Sequence, residues 1–124
     1  MTNRILLTGA AGFIGSNFAR YLLEHTDYSV TSLDRLDEAG SLERLADLKG
    51  RFPRRLDCVW HDLQAPIQPR LLRHDYKYVV HMAAGSHVDR SVRDPLQFVR
   101  DNVLGTAHLL EFARHHLPGV KVLY

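Results

Sequence analysis

Cysteine is almost missing from this chain. Cys58 is the only one, so no disulfide can form within it. No apolar run approaches the length that crosses a bilayer, and the first apolar segment is only a strand's length before it breaks at glycine, unlike a secretory leader. Charge of one sign is scarce too: 16 Lys and Arg against 14 Asp and Glu leave a formal net charge of +2, with acids interleaved among the arginines. Without a basic stripe or an aromatic platform, nucleic acid is a poor partner. The expectation is a cytoplasmic protein that engages neither membrane nor nucleic acid. What is present, 124 residues at 45% hydrophobic, supplies core enough for one domain spanning residues 1–124 and is too short for two.

The most informative stretch is Ile5-Leu6-Leu7-Thr8-Gly9-Ala10-Ala11-Gly12-Phe13-Ile14-Gly15. A short apolar run suited to a strand buried on both faces breaks into a glycine-spaced turn. A helical pattern follows, with Phe13, Ile14, Phe18, Ala19, Leu22 and Leu23 on its apolar side. In a strand–loop–helix unit, Gly9 permits the tight turn, Gly12 lets the backbone approach a pyrophosphate, and Gly15 lets the helix pack closely. The helix N-terminus then faces the anion with unpaired N–H groups. The spacing is G-x-x-G-x-x-G rather than G-x-G-x-x-G, and it gains meaning from the strand before and the helix after. A second strand, Tyr28 to Leu33, ends at Asp34, about 20 residues past the loop, where an acid can accept from both ribose hydroxyls of an adenine nucleotide. Asp34 favours NAD, because a carboxylate repels the extra phosphate of NADP. Arg35 follows at once and partly offsets that repulsion.

Beyond Asp37 to Gly40, which read as a loop, Ser41 is placed to cap a short helix carrying Leu42, Leu45 and Leu48, with Glu43 and Arg44 outward and Gly50 at its end. Leu56 to Trp60 reads as a half-buried third strand in which Cys58 packs in the core, and Asp62-Leu63 closes it where the adenine should lie. Tyr78 to Ala84 is a fourth strand ending in small residues. Next comes the polar cluster Ser86-His87-Val88-Asp89-Arg90-Ser91, at the strand end where open α/β sheets bind ligands. His87 and Asp89 form neither a zinc site nor a triad, so no metal is expected. Arg90 and Arg93 suit either a phosphorylated ligand or a solvated surface.

The longest helix is expected from Asp94, its cap, and Pro95 to the Pro118-Gly119 stop. Leu96, Val99, Val103, Ala107, Leu110 and Ala113 repeat at helical intervals. Leu104, Leu109, Phe112 and Leu117 widen the apolar face beyond what one sheet needs, leaving a surplus for a partner helix or for the core, and Asn102 is placed to reach back toward the cofactor loop. Val120 to Tyr124 begins a fifth strand. The pattern is an α/β, Rossmann-like, doubly wound parallel sheet in the order 3-2-1-4-5, cut in or just after its fifth strand. We expect an incomplete NAD-binding domain, the nucleotide-binding half of a larger enzyme, with its catalytic continuation and substrate domain lying elsewhere.

Four runs carry a resemblance: Leu7 to Asn17, Asp34-Arg35-Leu36 leading to Ala39-Gly40-Ser41-Leu42-Glu43, His81 to Ser91, and Asn102-Val103-Leu104-Gly105-Thr106. Together they resemble the extended short-chain dehydrogenase/reductase family, and within it the nucleotide-sugar dehydratases of the dTDP-glucose 4,6-dehydratase kind. The glycine run is shared with the family's epimerases; Ser86 to Ser91 is the more specific match. The resemblance implies that Gly9, Gly12 and Gly15, with Phe13 and Ile14 beside them, hold the NAD pyrophosphate. It implies Asp34 on the ribose, Asp62 and Leu63 at the adenine, Ala83, Ala84 and Ser86 along the nicotinamide half, and His87 on the sugar side. Gly85 stands where the dehydratases usually have glutamate, and Glu38 where they have tyrosine.

It also implies an NAD-dependent lyase acting on a nucleotide-diphosphate sugar, a homodimer at full length. Its tyrosine and lysine, and its Asp-Glu acid/base pair, are expected beyond Tyr124. No catalytic residue is therefore expected within the chain, which alone should be inactive. An epimerase, or a non-catalytic nucleotide-binding module, stays open as an alternative.

Overall fold

The structure, a computed structural model, describes residues 3–36, 42–85 and 88–124. The expectations placed on Ser41, Glu38, Ser86, His87 and the loop from Asp37 to Gly40 lie outside the described residues.

Five parallel strands form one sheet in the order β3-β2-β1-β4-β5: β1 (Arg4–Thr8), β2 (Ser29–Asp34), β3 (Leu56–Trp60), β4 (Tyr78–His81) and β5 (Lys121–Leu123). The order matches the one read from the sequence. Successive β1 side chains serve opposite faces, as strand geometry requires. Ile5 and Leu7 join Leu22, Leu23, Leu45 and Leu48 from α1 (Phe13–His25) and α2 (Leu42–Arg51). Leu6 joins Leu109, Phe112, Ala113 and Leu117 on the other face. Two cores, one on each side of β1, define the double winding.

Beyond α3 (Val88–Arg93), helical backbone runs unbroken from α4 (Pro95–Val99) through a π-helical turn (Arg100–Leu104) into α5 (Gly105–His116). Asp94 Oδ1 caps α4, accepting from the Gln97 N–H at 3.2 Å. In the wide turn, the Gly105 N–H donates to the Arg100 carbonyl five residues back. Gly105 sits against Leu63, where an added Cβ would come within 3.3 Å of the leucine Cβ.

The sequence pattern leaves open which stripe of this helix meets the core. Leu96, Val99, Val103 and Leu110 are 64, 51, 64 and 47% exposed; of the repeat read from the sequence, Ala113 alone is buried. The buried stripe is Gly105, Leu109, Phe112 and Ala113. Both stripes have helical spacing, and spacing tells which residues share a face, not which face meets the sheet. Two smaller corrections follow from position. Gly50 lies inside α2, which runs on to Arg51. Cys58 is exposed rather than packed, because β3 is the edge strand. Arg44 is exposed as expected, and its Nη1 reaches back to donate to the Ala11 carbonyl at 3.0 Å.

Candidate functional site

The sheet order reverses between β1 and β4, and in-register pairing brings their ends together. Thr8 is opposite both Leu33 and His81, and Asp34 opposite Trp60. The loops leaving β1, β2, β3 and β4 therefore open at one crevice, where doubly wound sheets bind ligands. It encloses about 620 Å³ of empty space, its open mouth included, and is lined by Gly9, Gly12, Leu33, Asp34, Arg35, His61, Asp62, Leu63, Gln64, Met82, Ala83, Ala84 and Asp101.

The glycine loop is a turn that tolerates no side chain at two places. Gly9 has φ +77°, and a Cβ there would lie 2.6 Å from the Ala83 nitrogen. A Cβ on Gly15 would lie 2.0 Å from the Gly9 carbonyl oxygen. Gly12 caps α1 in extended conformation with no side chain to accept from the first turn, so those N–H groups are presented to an anion. Phe13 and Ile14, 71 and 70% exposed, stand on that turn outside the crevice lining.

Asp34 ends β2 with its carboxylate turned to the loop: Oδ2 accepts from the Ala11 N–H at 3.0 Å and Oδ1 from the Leu36 N–H at 2.7 Å. Each oxygen keeps a further lone pair for a ligand hydroxyl. These features set an amide-lined turn and a carboxylate side by side, an arrangement able to take an anion and a hydroxyl-bearing group together. Asp62 and Leu63 line the crevice from the β3 side of the sheet, and Ala83 and Ala84 from the β4 side.

Arg35, expected to offset part of the repulsion of a second phosphate, is engaged within the chain. Its guanidinium is gripped by Asp101 from the π-helical turn, Nη1 to Oδ1 at 2.6 Å and Nη2 to Oδ2 at 3.0 Å. Asp62 stands 3.7 Å away. Gln64 and Gln97 also donate to Asp101 Oδ1, at 2.7 and 3.2 Å. Burial alone would raise the Asp101 carboxyl, but hydrogen bonds from Arg35, Gln64 and Gln97 hold it below the usual carboxylate range.

A buried polar chain fixes the β4 side. Thr8 Oγ1 accepts from the Ala83 N–H at 3.1 Å, shares the Met82 N–H with its own carbonyl at 3.1 Å, and pairs with His81 Nδ1 at 2.6 Å. Thr106 donates to the Asn102 carbonyl at 2.7 Å and accepts from His81 Nε2 at 2.9 Å. Asn102 then pairs both ways with Gly85: Gly85 N–H to Oδ1 at 2.8 Å and Nδ2 to the Gly85 carbonyl at 3.1 Å. Asn102 thus reaches the loop after β4, not the glycine loop. A Cβ on Gly85 would press to 2.8 Å from the Phe98 ring, so the glutamate usual in the dehydratases does not fit this packing unless Phe98 moves.

Local spacing gave no hint of Asp101, Gln64 or His81, whose partners lie 66, 37 and 73 residues away.

The family model for GDP-mannose 4,6 dehydratase matches residues 6–123. This chain belongs to that family. It is 42% identical over 115 residues to dTDP-glucose 4,6-dehydratase 1 of Escherichia coli K12, across 91% of this chain and 31% of the relative. With the dTDP-glucose 4,6-dehydratase of Streptomyces griseus the identity is 46% over 123 residues, 94% of this chain and 35% of that one. Among solved structures, the dTDP-glucose 4,6-dehydratase DesIV of Streptomyces venezuelae, with NAD and TYD bound, superposes with a TM-score of 0.84 at 40% identity, over 96% of this chain and 38% of that one. A UDP-Glc/GlcNAc 4-epimerase of Campylobacter jejuni reaches 0.79 at 29%, over 92 and 34%. The chain spans about a third of the length of these relatives.

Proposed function

We propose that this chain forms the NAD-binding part of a nucleotide-sugar 4,6-dehydratase that converts dTDP-glucose to dTDP-4-keto-6-deoxyglucose. The observation that carries the cofactor reading is the Asp34 carboxylate set against a glycine loop at the switch point of the sheet. Gly9, Gly12 and Gly15 hold the pyrophosphate, Asp34 the ribose, Asp62 and Leu63 the adenine, and Ala83 and Ala84 the nicotinamide half. When bound, NAD supplies a reversible hydride acceptor for the sugar. The small Ala83 and Ala84 give close access to the strand end, and the Thr8–His81 chain keeps that strand end in place.

Identities of 42 and 46% to the Escherichia coli K12 and Streptomyces griseus dehydratases, against 29% to the epimerase, favour elimination over epimerisation. No tyrosine of the chain has a lysine four residues on; Tyr21, Tyr28, Tyr76 and Tyr78 are followed there by His25, Ser32, Val80 and Met82. The proton-transfer groups thus belong to other parts of the enzyme. Among the described residues no helix is long and apolar enough to cross a membrane, and a cytoplasmic location accompanies this reading.

Titration with both dinucleotides tests the assignment. NAD should bind more tightly than NADP, and Asp34→Ala should weaken NAD by about 10- to 100-fold, the scale of hydrogen bonds to a charged group. Equal or tighter NADP binding by the unaltered protein would sink it.

Assembly is the second part of the proposal. The exposed stripe Leu96, Val99, Val103 and Leu110 is covered by the same stripe of a second copy in an isologous contact. Sedimentation at micromolar concentration should show a dimer that Val103→Glu dissociates. A monomer for the unaltered protein would leave these side chains as ordinary exposed surface.

A further inference from the structure

We infer that Asp101 is a specificity-determining residue, which keeps the site selective for NAD by holding the Arg35 guanidinium away from the 2′-position of the ribose. The inference rests on the crevice being a dinucleotide site. Its independent content is the role of a residue 66 positions away from the arginine it controls.

Arg35 directly follows the ribose acid and lines the same crevice. An arginine so placed is ordinarily a phosphate ligand, because its planar fork matches phosphate oxygens in pairs. Here the same fork is already matched to a carboxylate, with one nitrogen on each oxygen. The Arg35 backbone is pinned as well, its carbonyl accepting from Trp60 Nε1 at 2.9 Å.

The gripping carboxylate is itself held firmly. The Asp101 side chain is 7% exposed, and Gln64 and Gln97 converge on the oxygen that takes Arg35 Nη1. Asp101 sits in the π-helical turn next to Asn102, whose paired bonds to Gly85 fix that turn against the crevice. A ligand bearing a 2′-phosphate would have to compete with a bidentate pair already formed, while Asp34 and Asp62 add negative charge beside it. Ribose hydroxyls make no claim on the guanidinium, so NAD leaves the pair intact.

The test is direct measurement of NAD and NADP dissociation constants by calorimetry. Asp101→Asn should tighten NADP by about tenfold, the scale of one charge-assisted hydrogen bond regained, and change NAD by less than about threefold. Adding Arg35→Gln should cancel that gain. An unchanged NADP-to-NAD ratio in Asp101→Asn, or a gain that survives Arg35→Gln, overturns the inference while leaving the dinucleotide site in place.

Arg35→Gln alone gives a reading that needs no Asp101 variant to fold. It should leave NADP affinity within about twofold, whereas a loss of about tenfold would show the guanidinium already on the phosphate and would overturn the inference. If the unaltered protein binds neither dinucleotide, the site reading falls and the inference with it.

Discussion

Gly9→Ala should cost on the order of 3 kcal/mol of stability and abolish dinucleotide binding together. Two penalties coincide at this position. The backbone has φ +77°, where an L side chain meets the following carbonyl. The added carbon would also lie 2.6 Å from the Ala83 nitrogen and 2.7 Å from the Met82 carbonyl carbon, backbone atoms that cannot rotate aside. Relief requires β1 and β4 to part where both feed the crevice. Such a movement breaks the Thr8 bonds to the Met82 and Ala83 N–H groups and shifts the α1 amides away from the pyrophosphate.

Gly15→Ala should behave in the same way, since its Cβ would fall 2.0 Å from the Gly9 carbonyl oxygen. Gly50→Ala is the control. It lies inside α2 with nothing within 4 Å of an added Cβ, and should stabilise by about 0.5–1 kcal/mol. Thermal unfolding followed by circular dichroism, with NAD titration on each variant, checks all three. Full NAD affinity in Gly9→Ala would refute the account of the loop.

What the sequence made legible is what short-range rules govern. Strand, glycine turn and helix lie within about 25 residues, and Asp34 follows at a fixed offset because one βαβ unit sets the distance from loop to second strand end. The sheet order came with the βα alternation. That order already placed β3 at the edge, so the exposure of Cys58 was inferable from the predicted topology, although a half-apolar strand suggested otherwise.

Other features depend on how distant segments meet. Arg35 reads as a phosphate ligand until Asp101 comes beside it, and Asn102 reads as aimed at the glycine loop until the π-helical turn points it at Gly85. The long helix shows the limit of periodicity. Leu96 to Leu110 and Leu109 to Leu117 are both credible core stripes, and Gly105 against Leu63 decides between them by letting one face approach closely.

His81 provides the last expected result: the protein should lose stability as pH falls from 7 to 5.5, and His81→Gln should flatten that slope. Directionality in the buried chain leaves no room for a second ring proton. Thr8 Oγ1 accepts from the Ala83 N–H and shares the Met82 N–H with its own carbonyl, and it gives its proton to Nδ1, which accepts. Thr106 gives its own proton to Asn102 and accepts from Nε2. The ring is thus neutral, with hydrogen on Nε2, and desolvation by burial lowers its affinity for a proton below the ordinary histidine value.

The sign follows from linkage. The unfolded chain binds a proton on this ring below about pH 6.5 and the folded chain resists, so the contribution is fully present above the unfolded value. It is lost as pH falls from there toward the depressed folded value, and the loss stops once both states are protonated. Protonation in the folded state would turn Nδ1–H against the Thr8 hydroxyl and release the Ala83 N–H from its acceptor. NAD affinity should therefore fall over the same acidic range as stability, because Ala83 lines the crevice. Urea unfolding at several pH values, compared with the same series for His81→Gln, gives the measurement. A stability that rises as pH falls from 7 to 5.5, in a protein whose slope depends on His81, would mean the ring is charged in the fold and would overturn the hydrogen-bond assignment.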